Sequence, residues 1–379
     1  MKILSLFANI GVAEAYLKET HNEVVLANEL IKRRVDLYSK IYPDTFTICG
    51  DITEEKIRAE IVKKSLELGV ELVMATPPCQ GMSTAGQQNE NDIRNELICQ
   101  VVNVCKQIKP KYIFIENVPL FFRTYITING CKILIPDYLE RVLGTDYLTE
   151  MKVINTADYS VPQTRERALI LMSRKDQKYK WVVPKKDEKK ITMRDSIGEL
   201  PILDPFVKDV SETELLKMFP HFYERKQIAE KISVWHKPPE HIKRQVIAMM
   251  HTPSGCTAFD NKIYFPKKED GTPVKGYRNT YKRQNWDTAA YTVTMDNRKI
   301  SSQNNVHPGR KYIQDGEELY SDARTLTLYE IMKIMTLPDN WPVPVNTSEA
   351  FLRRIIGEGI PPLFVKKVFE ELDRGIKNE

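Results

Sequence analysis

The stretch Leu72-Val73-Met74-Ala75-Thr76-Pro77-Pro78-Cys79-Gln80 joins an apolar run to an abrupt turn. Four successive apolar residues are typical of a buried strand. Two prolines end that strand, because proline donates no backbone hydrogen bond and fixes φ. The turn therefore holds the Cys79 thiol at a set angle, as a nucleophile requires. Most free cysteines are small buried hydrophobes instead, and this alternative also applies to Cys79.

Strands and helices alternate on both sides of this stretch up to residue 173. Strands are predicted at 2–7, 23–28, 45–49, 71–75 and 111–115, and helices at 11–20, 30–41, 54–68, 91–108 and 136–143. Such alternation is typical of a doubly wound, mostly parallel α/β sheet. Two more strand-like runs, 148–155 and 168–173, are joined by a loop and predict an antiparallel pair.

The sequence changes character after Ser173. Residues 174–190 are rich in lysine and prolines are frequent up to Pro308, which predicts a smaller, irregular domain. Helical periodicity returns at 326–335. Residues 364–372 have an apolar face suited to packing on the first domain.

Composition limits the classes to which the chain can belong. Its 379 residues, 42% hydrophobic and 28% charged, are those of a globular protein large enough for two domains. The six cysteines show no CxxC pair and no paired-histidine spacing, so neither a zinc site nor a disulfide framework is predicted. The N-terminal apolar run is short for a signal peptide, and no segment approaches the roughly 18 apolar residues of a membrane span. We therefore predict a cytoplasmic protein without metal or membrane attachment.

The net charge of +5 is concentrated in the middle of the chain. Residues 175–320 contain 27 Lys/Arg and 20 Asp/Glu, whereas the rest contains 29 and 31. Most charge runs are solvated surface, but confinement to one segment favours a polyanionic partner.

Polar residues follow each of the five predicted parallel strands. They are Phe7-Ala8-Asn9-Ile10-Gly11, Glu29, Asp51, Cys79 and Glu116-Asn117. Ligands of open α/β sheets bind outside the carboxyl ends of the strands, where these residues converge. Gly11 permits close approach of the backbone to a ligand, and Glu29 is placed to accept the hydroxyls of a ribose. An ordinary turn with surface acids is the alternative.

Glu116 directly follows the apolar run 112–115. At a half-buried strand end its pKa can rise, and it can share a proton with a substrate nitrogen; a helix cap or an ion-pair partner is the alternative. Farther along, Gln163, Arg165 and Arg167 point the same way if the chain is extended. These arginines can pair with Glu116 or a ligand oxygen, or can form a salt-bridged strand edge.

Seven blocks of sequence occur in an order typical of one family. They are residues 5–11, Pro77-Pro78-Cys79-Gln80-Gly81-Met82-Ser83, Glu116-Asn117-Val118, residues 158–167, Arg324-Thr325-Leu326-Thr327, Leu337-Pro338-Asp339 and Gly357-Glu358-Gly359-Ile360-Pro361-Pro362. In this order they resemble the cytosine-C5 DNA methyltransferases of bacterial restriction-modification systems, and they extend over nearly the whole chain. The implied fold is the sheet of the S-adenosylmethionine-dependent methyltransferases.

The resemblance implies methyl transfer from S-adenosyl-L-methionine to carbon 5 of a specific cytosine in double-stranded DNA. Cys79 matches the nucleophile that adds to carbon 6 of a flipped-out base. Glu116 matches the residue that bonds ring N3 and the exocyclic amine. Arg165 matches the arginine that holds the base oxygen and braces the site, and Arg167 is counted with it as catalytic.

The resemblance also implies a set of cofactor-binding residues. They are Phe7, Ala8, Asn9, Ile10, Gly11, Glu29, Asp51, Ile52, Pro78, Glu358 and Gly359. Phe7 would pack on the adenine, Glu29 would bind the ribose, and Asp51 with Ile52 would read the adenine edge. Family members usually have glycine where Asn9 and Val12 stand, and asparagine where Glu358 stands. We hypothesise that Glu358 either pairs with the methionine ammonium or faces solvent.

The resemblance divides the chain into a catalytic and cofactor-binding domain, residues 1–175 completed by 345–379, and a target-recognition domain, residues 176–344. The basic, aromatic stretch 272–286 suits contact with phosphates and base edges, although solvated loops look similar. The predicted DNA-binding residues are Gln80, Ser83, Arg278, Lys282, Arg283, Gln284, Thr292 and Thr294.

Three other classes fit the sequence less well. A tRNA cytosine-C5 methyltransferase would have a shorter recognition segment, and a non-catalytic DNA-binding protein would be expected to lose Cys79, Glu116 or Arg165. A nucleotide-dependent oxidoreductase needs a GxGxxG turn that is absent here. Double-stranded DNA is the implied partner, and a cognate restriction endonuclease acting on the same site is compatible with the resemblance.

Overall fold

The computed structural model describes residues 1–78, 97–261, 264–265, 267–268, 270–272, 280–298, 300 and 305–378. Before residue 175, the described chain forms nine strands. They are β1 (Lys2–Leu6), β2 (Glu23–Glu29), β3 (Phe46–Cys49), β4 (Leu72–Ala75), β5 (Tyr112–Asn117), β6 (Tyr125–Ile128), β7 (Cys131–Leu134), β8 (Tyr147–Asn155) and β9 (Glu166–Arg174). The helices among them are α1 (Lys32–Ile41), α2 (Glu55–Leu68), α3 (Leu97–Ile108) and α4 (Ile135–Leu143).

Seven of these strands form one sheet, in the order β3-β2-β1-β4-β5-β9-β8. Strands β1 to β5 are parallel, and β9 is antiparallel to both β5 and β8. The predicted doubly wound, mostly parallel sheet with an antiparallel pair is confirmed. The strand order reverses between β1 and β4, so the ligand crevice of such a sheet lies at their carboxyl ends.

Short elements follow β9, as the irregular composition predicts. They are α5 (Met193–Ile197), β10 (Phe206–Val207), α6 (Glu212–Met218), α7 (Phe222–Ile232), β11 (Glu240–His241), α8 (Lys243–Met250), β12 (Lys311–Gln314) and β13 (Glu317–Tyr320). Three helices come last in the chain: α9 (Leu328–Ile334), α10 (Glu349–Glu358) and α11 (Pro362–Lys377). The proposed domain limits at 1–175, 176–344 and 345–379 stay a prediction.

Helix α11 packs on the sheet through its aromatic face, as predicted. The ring centroids of Phe369 and Phe114 are 5.8 Å apart, and those of Phe369 and Trp181 are 5.2 Å apart. The Trp181 indole N–H donates to the Val368 carbonyl at 3.0 Å. This packing covers one face of β5 with large apolar side chains, which are strong contributors to burial energy.

Two local features differ from the sequence-based prediction. Residues 11–20 form successive turns and a short 3-10 helix (Leu17–Glu19) instead of an α-helix, because the buried Glu14 side chain bonds to other elements. The β6–β7 hairpin was not predicted. Its turn, Asn129-Gly130, has positive φ at both residues (51° and 78°), the usual chemistry of a two-residue hairpin.

Candidate active site

The loop after β1 leaves the sheet in a left-handed backbone conformation. Phe7, Asn9 and Gly11 have φ values of 59°, 53° and 77°, which are rare for a bulky residue such as phenylalanine. The Asn9 N–H donates to the Glu29 carboxylate at 3.0 Å, and the Ala8 N–H donates to the Asn28 carbonyl at 3.0 Å. The loop is therefore tied to the carboxyl end of β2.

Glu29 is 8% exposed and is fixed at the carboxyl end of β2, the strand next to β1. One carboxylate oxygen accepts from Asn9 and the other accepts from the Ile31 N–H at 3.0 Å. Each carboxylate oxygen can accept more than one hydrogen bond, so both remain able to bind a hydroxyl group. The neighbouring β3 loop is held by the Asn28 amide, which donates to the Ile48 and Gly50 carbonyls at 3.1 Å.

The other predicted cofactor residues surround this loop. Asp51 is half-buried and accepts from the Thr53 N–H at 2.8 Å, whereas Ile52 is fully buried. Ala8 and Ile10 are buried beneath the loop, and Pro78 and Gly359 are partly exposed. Their assignment to a cofactor stays a prediction.

Two of the three departures from the family pattern, Asn9 and Glu358, link α10 to other parts of the chain. The Asn9 amide donates to the Ile355 carbonyl at 3.3 Å. Glu358 lies 2.7 Å from Arg34 of α1 and 3.4 Å from Arg354, and the Arg34 and Glu358 side chains are only 15% and 16% exposed. Glu358 therefore bridges α10 to α1 and is not simply a solvent-facing acid.

Glu116 forms an ion pair with Arg167 at the carboxyl end of β5. The Arg167 Nε and Glu116 Oε1 atoms are 2.7 Å apart, and the two side chains are 12% and 11% exposed. Next to Glu116, the Asn117 amide donates to the Pro77 carbonyl at 3.0 Å. This bond connects the Glu116 strand end to the turn that precedes Cys79. Cys79, Gln80 and Ser83 lie outside the described residues.

Arg165 joins three distant parts of the chain. It is 2% exposed, and its guanidinium donates to the Val293 carbonyl at 2.8 Å and to the Gly357 carbonyl at 3.0 Å. Gly357 packs so closely that an added Cβ would lie 2.2 Å from the Thr294 carbonyl oxygen. The structure thus gives Arg165 a bracing position, whereas the arginine beside Glu116 is Arg167.

The predicted DNA-binding residues are widely spread. Arg278 lies outside the described residues. Lys282 is half-buried, with Nζ 4.6 Å from the Tyr291 ring centroid. Thr292 is partly exposed, and its hydroxyl donates to the carbonyl of Thr164, the residue before Arg165, at 2.7 Å. Thr294 is also partly exposed.

Arg283 and Gln284 correct the sequence-based assignment of base-edge contacts. Arg283 has no exposed surface, and its guanidinium donates to the Met249 carbonyl at 2.8 Å and the His307 carbonyl at 2.7 Å. Gln284 is 3% exposed and accepts from the Tyr291 N–H at 3.1 Å. Both side chains have a structural position instead: the Arg283 guanidinium and the Gln284 amide oxygen form hydrogen bonds with backbone groups in the interior of the protein.

Sequence reasoning assigned no role of their own to three residues near the site, Asn117, Arg34 and Leu30. Asn117 was placed at the ligand edge only together with Glu116, and Leu30 adjoins Glu29. Leu30 is 60% exposed, an unusual apolar surface beside a buried carboxylate. For Asn117 and Leu30, the available signal was that each directly follows a predicted site carboxylate, whereas no feature of the neighbouring sequence identifies Arg34.

No group of His, Cys, Asp and Glu suited to a metal ion occurs among the described residues. Within the same residues, no helix is long and apolar enough to cross a membrane.

The strand order, with its antiparallel β9, defines the fold of the S-adenosylmethionine-dependent methyltransferases. Residues 1–374 match the family of C-5 cytosine-specific DNA methylases. The chain therefore belongs to this family and is a DNA cytosine-5-methyltransferase.

Individual relatives agree with this membership. The chain is 38% identical over 374 residues to the Type II methyltransferase M1.HgaI of Avibacterium volantium, covering 97% of each sequence. It is 23% identical to the Type II methyltransferase M.XorII of Xanthomonas oryzae pv. oryzae, covering 99% of this chain and 85% of the relative. The solved structure of an inferred DNA modification methyltransferase encoded within an E. coli prophage has the same fold, with a TM-score of 0.68, 18% identity and full coverage of both chains.

Proposed function

We propose that the chain methylates carbon 5 of a specific cytosine in double-stranded DNA, as the modification enzyme of a Type II restriction-modification system. The observation that carries this proposal is the Glu116–Arg167 pair, which Asn117 connects to the turn before Cys79. Similarity over almost the whole length to two Type II methyltransferases supports the restriction-modification context.

S-adenosylmethionine is the methyl donor that we propose, because methyltransferases of this family generally use it. The site fits this molecule in two respects: the Glu29 carboxylate is held ready to accept hydroxyls, and the buried Asn9 Oδ1 has no hydrogen-bond partner among the described residues. When bound, the cofactor supplies an electrophilic methyl group. Residues 7–11, Glu29 and Asp51 would hold it.

The protein must activate the base, since carbon 5 of cytosine is a poor nucleophile. We assign Cys79 to this step: its sulfur bonds to carbon 6 and makes carbon 5 electron-rich. Glu116 would hold ring N3 and the exocyclic amine, and Arg167, beside it, would hold the base oxygen. After a methyl group bonds to carbon 5, loss of the carbon-5 proton expels the Cys79 sulfur and restores the ring. The base must leave the duplex for this chemistry.

The test traps the Cys79 adduct on DNA. In duplex DNA with 5-fluorocytosine, carbon 5 carries fluorine where a proton must leave, so the sulfur cannot be expelled after methylation. With S-adenosylmethionine and a randomised library of such duplexes, we expect a denaturation-resistant complex. Cys79→Ala should form none, whereas Cys49→Ala, which changes an exposed cysteine at the end of β3, should form it normally. A complex with Cys79→Ala, or none with the unaltered chain, would contradict the proposal.

Glu358 offers a separate prediction about cofactor binding. Glu358→Gln removes the negative charge that pairs with Arg34 and so breaks the ion pair between α10 and α1. An ion pair at this exposure contributes on the order of 1 kcal/mol. We expect the dissociation constant of S-adenosylmethionine to rise about fivefold, measured by calorimetric titration. Arg354→Gln, which removes only the longer and more exposed contact, serves as the control. Unchanged affinity in Glu358→Gln would exclude both the ammonium contact and a positioning role.

A further inference from the structure

A buried carboxyl group, Glu14, lies directly behind the loop of residues 7–11. Glu14 is 4% exposed. One of its oxygens accepts from the Ser5 hydroxyl of β1 at 2.6 Å, and the other accepts from the Tyr38 hydroxyl of α1. Its backbone N–H donates to the Gly11 carbonyl at 3.2 Å. One residue thus connects the strand before the loop, the last loop residue and the helix after β2.

The Gly11 carbonyl is held from a second side by Tyr42. The Tyr42 hydroxyl donates to it at 2.6 Å. Gly11 has a φ of 77°, and an added Cβ would lie 2.1 Å from the Tyr42 ring, so the loop end fits closely against this side chain. The Tyr38 and Tyr42 ring centroids are 4.9 Å apart. The shape of the loop therefore depends on the cluster that contains Glu14.

The groups that face the Glu14 carboxyl are hydroxyls. They are Ser5 from β1, Tyr38 from α1 and, beyond it, Tyr42 after α1; no described Lys, Arg or His forms an ion pair with Glu14. Burial raises the pKa of Glu14 to about 7, although the hydrogen bonds from Ser5 and Tyr38 oppose the shift. Burial also raises the pKa of Tyr38 well above its ordinary value, so this phenol stays neutral. An ionised Glu14 would be a buried charge without a cation, which is costly.

We propose that Glu14 is a positioning residue for the cofactor: its protonated form holds residues 7–11 in the shape that receives the cofactor, and its ionisation releases them. This inference rests on the cofactor site proposed above. Because the folded-state pKa is raised from the ordinary 4.5, the stabilisation is complete below pH 4.5 and is lost as the pH rises through about 7. Cofactor affinity should fall over the upper part of that range.

The experiment is a calorimetric titration of S-adenosylmethionine into the full chain between pH 6 and pH 8.5. We expect the dissociation constant of the unaltered protein to rise on the order of tenfold, a typical coupling between two sites. Glu14→Gln stays neutral and, like a protonated carboxyl, can accept from one of the Ser5 and Tyr38 hydroxyls and donate to the other, so it should retain the low-pH affinity throughout. Glu19→Gln changes an exposed acid nearby and should keep the pH dependence of the unaltered protein.

A second variant separates positioning from mere loss of folding. Tyr38→Phe keeps the ring and removes the hydroxyl that lowers the Glu14 pKa, so the midpoint of the affinity change should move to higher pH. A constant affinity in the unaltered protein, or the same pH dependence in Glu14→Gln, would overturn the inference while leaving the proposed function intact. Absence of S-adenosylmethionine binding at every pH would overturn the cofactor assignment and the inference together.

Discussion

Replacing Glu116 with glutamine is expected to slow methyl transfer by about 10²- to 10⁴-fold, the usual contribution of a positioned acid–base group. The carboxylate lies 2.7 Å from Arg167 at the end of β5, where the proposed mechanism places ring N3 of cytosine. An amide can still accept a hydrogen bond from Arg167, but it cannot share a proton with N3. The variant should therefore fold, and its defect should lie in the chemical step.

Single-turnover transfer of labelled methyl groups to duplex DNA measures this step directly. Glu166→Gln is a matched control, because Glu166 is an exposed acid next to Arg167 in sequence and should transfer methyl groups at nearly the normal rate. The affinity of Glu116→Gln for S-adenosylmethionine should stay unchanged. Methyl transfer within about threefold of normal would show that Glu116 does not do acid–base work of this size.

The two arginines of the 158–167 block show where sequence reasoning reaches its limit. Alternation places Arg165 and Arg167 on one face, and the pairing of an arginine with Glu116 could be anticipated. Which arginine pairs could not, because Arg165 precedes β9 and is held by the Val293 and Gly357 carbonyls, 128 and 192 residues away in sequence. Only the folded chain brings those carbonyls together.

Arg283 shows a second limit of prediction from sequence, which concerns burial. Basic and aromatic residues interleave around it, which is typical of a nucleic-acid surface, yet a buried arginine that binds carbonyls has the same local sequence. Burial depends on β13 and α8, which follow or precede it by more than thirty residues. By contrast, the parallel sheet was predictable because each of its strands contains a short apolar run bounded by a turn or helix, with most of the polar residues at the strand ends.

The buried charges around Arg324 lead to the largest expected loss of stability. Arg324 has no exposed surface; its guanidinium binds both Glu330 carboxylate oxygens at 2.8 Å, Asp322 at 2.9 Å and the Leu203 carbonyl at 2.8 Å. Burial alone would raise the pKa of Glu330, but Arg324 and His307 lower it overall. Both acids therefore remain charged in the interior, and their stability depends on this arginine.

Arg324→Met should lower the free energy of unfolding by about 3–5 kcal/mol, because it removes the cation that Glu330 and Asp322 share and leaves Asp322 only the longer contact with Arg310, at 3.4 Å. Urea unfolding followed by circular dichroism measures the loss. Lys18→Met removes one partner of an exposed ion pair, in which Lys18 and Asp44 are 63% and 70% exposed, and should change stability little. If Arg324→Met unfolded at the normal urea concentration, the network would contribute nothing to stability.

A double variant locates the origin of this cost. Arg324→Met combined with Glu330→Gln should recover part of the lost stability, since the buried Glu330 charge that lost its arginine is then absent. The glutamine amide has nearly the shape of the Glu330 carboxylate and differs from it mainly in charge, and the methionine side chain offers it no hydrogen-bond donor. Recovery would therefore assign the cost to the unpaired Glu330 carboxylate, whereas an equal or larger loss in the double variant would assign it to the missing guanidinium hydrogen bonds and packing.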